Sequence, residues 1–192
     1  MANKVVAIGA SAGGLEPLRE LLRELPPNFA AAIIVAVHSG PESRLKNTLD
    51  LFSDISLEIC HAESGIEPTP GAVYVVPGAK HVLLSHGRLE ISDLVRDSGF
   101  RPSIDALFMT LATEYRDNAI AVVLSGTLND GMRGAQVLYD LGGITLVQDP
   151  EDAKFASMPQ SVVQANHPVE IISAKQIGRW LVESVGTTDL EA

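Results

Sequence analysis

The stretch Gly9-Ala10-Ser11-Ala12-Gly13-Gly14 places a G-x-S-x-G pattern directly after a short apolar run and before a run of helical period. A serine in that setting sits on a tight turn that needs small neighbours, and the helix behind it points N–H groups at charge developing on a nearby carbonyl oxygen. Its hydroxyl becomes a useful nucleophile only with a base in hydrogen-bond reach, and an imidazole base needs a third group to fix its tautomer. Two residues stand in equivalent places. His38 follows the apolar run 31–37, and Asp130 lies in the loop Leu124-Ser125-Gly126-Thr127-Leu128-Asn129-Asp130-Gly131 behind the run 119–124. Ser11, His38 and Asp130 therefore supply the residue types of nucleophile, general base and orienting acid for acyl transfer. Taken alone, Asp130 also reads as the N-cap of the helix that begins near Gly131.

Other chemistries fit less well. A dinucleotide loop would need glycine where Ser11 stands and an acid where His38 stands. A Walker loop would need Gly-Lys-Ser/Thr, which does not follow. The order Ser, His, Asp differs from that of α/β-hydrolases, which also place several strands before the serine. His61, His81, His86 and His167 lack the clustering of a metal site, so neither metal nor cofactor is expected. Asp149, Glu151 and Asp152 read as a solvated acidic loop, and Cys60, after the alternating Ile55, Leu57 and Ile59, as a small buried hydrophobe.

The elements that must carry these residues follow from periodicity. Val5-Val6-Ala7-Ile8 and residues 31–37 are continuous apolar runs of the kind buried on both faces of a parallel sheet. Leu15, Leu18, Leu21, Leu22 and Leu25 recur at helical spacing until Pro26-Pro27, and Leu45, Leu49 and Phe52 suggest a second helix. Val73-Tyr74-Val75-Val76, Val82-Leu83-Leu84 and Leu89-Glu90-Ile91, separated by Pro77-Gly78 and His86-Gly87, suggest hairpins at one sheet edge. Residues 102–115 return to helix, 119–124 to strand, and a further βα unit ends in the strand 144–147, with a last helix over 174–185. The fold expected is α/β: Rossmann-like, doubly wound, a mostly parallel sheet flanked by helices with an antiparallel hairpin at one edge. One domain over residues 1–186 and a flexible tail over 187–192 are expected.

Composition narrows the function. The 192 residues are 46% hydrophobic and 20% charged, which describes a soluble globular chain. Fourteen Lys+Arg against 24 Asp+Glu leave a net charge of −10, which speaks against a nucleic-acid partner, because phosphate neutralisation supplies most non-specific affinity. No apolar run is long enough to span a membrane, and the single cysteine forms no internal disulfide; a cytoplasmic location is expected.

The chain resembles the catalytic domain of chemotaxis protein-glutamate methylesterases of the CheB type. The resemblance is carried by Ile8 through Gly14, by His38 after its strand, by His61-Ala62-Glu63-Ser64-Gly65, and by Pro70-Gly71-Ala72-Val73-Tyr74-Val75-Val76-Pro77. It continues in Arg101-Pro102-Ser103-Ile104-Asp105-Ala106-Leu107-Phe108, Leu124 to Gly131, Val147-Gln148-Asp149 and Ser157-Met158-Pro159. It implies hydrolysis of glutamate γ-methyl esters on the cytoplasmic domain of methyl-accepting chemoreceptors, sometimes with glutamine deamidation. Position by position, it puts the triad on Ser11, His38 and Asp130, and the backbone oxyanion donors on Ala12 and Thr127. The chain departs from the family pattern in four places: Ala12 replaces Thr, Val37 replaces Gln, Ser39-Gly40-Pro41 replaces Met-Pro, and Thr127 replaces Met. Family members typically carry an amino-terminal receiver domain, whereas here the first strand starts near residue 4. Activity without phosphodonor control is therefore expected, with any control coming from a separate receiver or signalling protein. The alternative function on this fold is a non-catalytic receptor-docking or signalling module.

Overall fold

The computed structural model describes residues 4–38, 52–165 and 168–188. Seven strands form one parallel sheet: β1 (Lys4–Ala10), β2 (Ala31–Val37), β3 (Glu58–His61), β4 (Ala72–Val75), β7 (Ala119–Val123), β8 (Ile144–Gln148) and β9 (Glu170–Ile172), in the order β3-β4-β2-β1-β7-β8-β9. Among the described residues five α-helices accompany it: α1 (Leu15–Arg23), α2 (Ile104–Tyr115), α3 (Met132–Asp140), α4 (Ser157–Ala165) and α5 (Ala174–Val185).

The period of two along β1 splits the core. Val6, Ile8 and Ala10 join Leu18, Leu21, Ile177 and Leu181 of α1 and α5 on one face, while Val5 and Ala7 join Leu107, Phe108, Leu138 and Met158 of α2, α3 and α4 on the other. Both faces are covered, which is why the strands read as unbroken apolar runs. The chain winds outward from β1 to β2 and then returns to β7 on its other side, so the strand order reverses at β1, where α/β folds open a crevice at the carboxyl ends of the strands.

Several expectations change in detail. The run Val73–Val76, expected among the hairpin strands, instead supplies β4 inside the parallel sheet, between β2 and β3. The hairpin itself, β5 (His81–Ser85) and β6 (Arg88–Ser92), is a separate two-stranded sheet lying on α2 rather than an edge of the main one. There Val82, Leu84 and Leu89 are buried with Leu107 and Leu111, and the Leu84 N–H donates to the Thr110 hydroxyl (3.1 Å). The periodicity missed α4, whose Pro159 is tolerated in a first turn, and the three-residue β9. Of the helix expected through Leu45, Leu49 and Phe52, only buried Phe52 falls within the described residues. Of the segment expected as a tail, Thr187 bridges Phe29 and the Thr188 N–H donates to Asn28 (2.8 Å), while 189–192 lie outside the described residues.

Candidate active site

Adjacent parallel strands in register deliver their next residues side by side. Ala10 of β1 pairs with Val37 of β2, and the His38 N–H donates to the Ala10 carbonyl (3.0 Å), so Ser11 and His38 emerge together. On the other side the Ser11 N–H donates to the Ser125 carbonyl beyond β7 (3.0 Å). The chain then turns sharply: Gly14 N–H returns to the Ser11 carbonyl (3.0 Å), and Gly13 takes φ +70°, a left-handed conformation that glycine adopts at little cost. Buried Ser125 braces this turn, its hydroxyl donating to the Ala12 carbonyl and accepting from the Phe155 N–H (both 3.0 Å). The Ser125 N–H in turn donates to the Gln148 side chain (2.8 Å), which Asp152 holds (2.9 Å). Asp152, expected in a solvated loop, thus acts as a support.

The Ser11 Oγ lies 3.1 Å from His38 Nδ1, and His38 Nε2 lies 2.7 Å from Asp130 Oδ2. The carboxylate accepts the Nε2 proton, which leaves the Nδ1 lone pair free for the serine hydroxyl. The Phe100 ring stacks on the imidazole at 4.7 Å between centroids and 10° between planes.

Asp130 caps a helix, but not the one its sequence position suggests. Its carboxylate accepts from the Ile104 and Asp105 N–H groups (2.8 and 2.9 Å), at the amino end of α2. Asp105 returns the service to α3, accepting from Gly131 (3.0 Å) and Gly134 (2.8 Å) N–H groups and from Arg133 Nε (2.8 Å). Each carboxylate closes the amino end of the other's helix, where the peptide dipoles favour negative charge. Gly9 makes room for this arrangement, because a Cβ there would stand 2.5 Å from Ile104.

Burial, reinforced by the negative charge of Asp130, pushes the Asp105 carboxyl above its ordinary range; the Gly134 N–H and Arg133 oppose the shift. A folded-state value above the unfolded one means that Asp105 favours folding at low pH and loses that contribution as pH rises through the folded value. Asp105→Ala, which strips three donors of their acceptor, is expected to cost about 3 kcal/mol in urea unfolding. Asp105→Asn keeps an acceptor and should cost less at neutral pH, and its deficit relative to wild type should widen on acidification.

Ser11, His38 and Thr127 line an open cleft of about 310 Å³ with Arg96, Gly99, Phe100 and Arg101. Among the described residues the N–H groups of Ala12 and Thr127 have no acceptor. Their neighbours are committed: Gly126 to the Phe155 carbonyl (2.9 Å) and Leu128 to the Ser157 hydroxyl (3.1 Å). Arg101 donates to the carbonyls of Asp93 and Leu94 (both 3.3 Å), and exposed Arg96 has no ion-pair partner among the described residues. The sequence reading did not single out Phe100, Arg96, Ser125 or Asp105. Of these, Ser125 carried a signal, as a polar residue closing a buried strand.

None of the remaining candidates within the described residues lines the cleft. Burial and the neighbouring Glu58 push the half-buried Cys60 thiol up, away from the reactive thiolate. Buried His81 is satisfied on both nitrogens, by the Val95 carbonyl (3.1 Å) and the Ser103 N–H (3.2 Å). Asp149 accepts from the Glu151 N–H (2.9 Å) in its own turn. His167 and Ser39-Gly40-Pro41 lie outside the described residues. Among the described residues no group of three or more His, Cys, Asp or Glu is placed to hold a metal ion, and no helix is long and apolar enough to cross a membrane.

A parallel α/β sheet whose central strand ends in a serine turn, beside a histidine and a buried acid, defines a hydrolase-like architecture. The family model for CheB methylesterase matches residues 6–181, and the chain belongs to that family. A protein-glutamate methylesterase/protein-glutamine glutaminase of Moorella thermoacetica is 36% identical over 189 residues, which cover 95% of this chain and 44% of that protein. A putative enzyme of the same description from Leptospira interrogans is 33% identical over 185 residues, covering 95% of both chains. The crystal structure of the Thermotoga maritima CheB methylesterase catalytic domain superposes with a TM-score of 0.87 at 31% identity, covering 95% of this chain and 99% of that one.

Proposed function

We propose that this chain is a serine hydrolase of the cytoplasm that removes methyl groups from glutamate γ-methyl esters on chemoreceptor cytoplasmic domains in chemotaxis adaptation. The observation that carries this reading is the unbroken line from Ser11 Oγ through both His38 nitrogens to Asp130, at 3.1 and 2.7 Å, facing an open cleft. Ser11 Oγ bonds to the ester carbonyl carbon while His38 Nδ1 takes its proton. The oxyanion receives the N–H groups of Ala12 and Thr127, and Asp130 stabilises the imidazolium. Collapse breaks the bond to the methoxy oxygen, which leaves as methanol with the proton from His38. Water then attacks the acyl-enzyme, gives a proton to His38, and releases the glutamate carboxylate as the proton returns to Ser11. A glutamine side chain would follow the same steps with ammonia leaving, in line with the second activity in the relatives' names.

The departures Ala12 and Thr127 leave this chemistry intact, because backbone N–H groups survive side-chain replacement. The domain proposed for it is residues 1–186. An open cleft suits a side chain presented on a protein surface, and its two arginines suit a segment bearing carboxylates. The test is methanol release from a methylated receptor cytoplasmic fragment; tight binding without turnover would favour the docking module instead. In the same assay Arg96→Glu is expected to raise KM roughly tenfold at low salt with kcat little changed, and added salt should shrink the difference.

A further inference from the structure

The segment 93–101, which follows the hairpin and lines the cleft through Arg96, Gly99, Phe100 and Arg101, is cinched by two backbone hydrogen bonds between Asp97 and Phe100 (3.1 and 2.8 Å). On its inner side it lays the Phe100 ring on the His38 imidazole. Its outer side is pinned through the Asp97 carboxylate, which accepts from Arg133 (2.7 Å) and from the Ser103 hydroxyl (2.9 Å). Arg133 also grips Asp105 (2.8 Å), and Asp105 and Asp130 cap each other's helices. The contacts therefore close on themselves: Asp130 takes the edge of the imidazole, Phe100 takes its face, and Asp97, Arg133 and Asp105 join the two.

One hydrogen bond leaves a ring free to swing about the bond axis, and such a swing would carry Nδ1 away from Ser11. A flat partner against the ring face blocks that motion. We propose that Phe100 is a positioning residue for His38 and that Asp97, anchored by Arg133, acts through Phe100; this rests on His38 being the general base. Misplacing a reacting group by about 1 Å costs on the order of 100-fold in rate, so losing one of two restraints on the base should lower kcat with little effect on stability.

The test compares Phe100→Ala, Phe100→Tyr, Asp97→Ala and the double variant Asp97→Ala/Phe100→Ala, each checked by thermal unfolding. Phe100→Ala and Asp97→Ala should each lower kcat roughly tenfold, Phe100→Tyr should restore it, and the double variant should be no slower than Phe100→Ala, because on this proposal Asp97 acts on the base through Phe100 and not through the Arg133–Asp105–Asp130 contacts. If Asp97→Ala does not fold, Asp97→Asn replaces it. Multiplied losses in the double variant, or wild-type kcat in Phe100→Ala, would overturn the proposal. A second readout needs no substrate. In NMR spectra the His38 ring C–H protons, lying over an aromatic face, should resonate upfield in wild type and Phe100→Tyr and return to ordinary positions in Phe100→Ala. Absence of that upfield displacement from wild type would sink the positioning role even if the enzyme is active; its presence in a protein that releases no methanol would sink only the esterase reading.

Discussion

Replacing Ser11 by Ala is expected to lower methanol release from a methylated receptor fragment by about three to six orders of magnitude, with the unfolding transition unmoved. The rate falls so far because His38 and Asp130 have nothing left to activate, and the oxyanion donors alone give only residual catalysis. Stability holds because, among the described residues, the serine side chain makes a single hydrogen bond, to His38, while the turn is built from backbone groups and from Ser125. Methanol is measured over time at saturating substrate for both proteins, beside a urea titration. A variant that keeps more than about a tenth of the wild-type rate would remove Ser11 from the mechanism.

Asp130 predicts a different pair of losses. Asp130→Asn should lower the rate by up to about four orders of magnitude, because the amide donates where the carboxylate accepted. The imidazole then turns its proton toward Ser11 and no longer accepts one. Asp130→Ala should be as slow and should unfold more easily, by about 2–4 kcal/mol, because both the Ile104 and Asp105 N–H groups lose their acceptor inside the protein; Asp130→Asn, whose amide nitrogen replaces the oxygen that Ile104 shares with His38, should lose only the Ile104 bond. Kinetics and urea unfolding on both variants separate the two effects. A near-normal Asp130→Asn alongside a crippled Asp149→Asn would transfer the role to Asp149.

Much of this was legible locally. The serine turn, the buried strands behind Ser11, His38 and Asp130, and the helix with Leu18, Leu21 and Leu22 inward each declare themselves in a few residues. What hid was long-range. A run such as Val73–Val76 is equally suited to a hairpin strand and to a buried parallel one, and only its pairing with Ile33–Val35 decides. Asp130 precedes α3 in the chain, so its sequence neighbours point to the wrong helix; the approach of α2 across Gly9 redirects it. Nothing local marks Phe100, because a lone aromatic in a loop has no period to betray its partner.

The crossed capping of α2 and α3 also bears on how this site would decay over evolutionary time. Asp130 is tied to stability through two helical N–H groups, whereas Ser11 answers only to chemistry. A descendant relieved of selection for hydrolysis would be free to drift at the serine while purifying selection for folding still guarded the aspartate. A surviving aspartate at this position would then be a poor indicator of activity in any such descendant, and the serine the informative one.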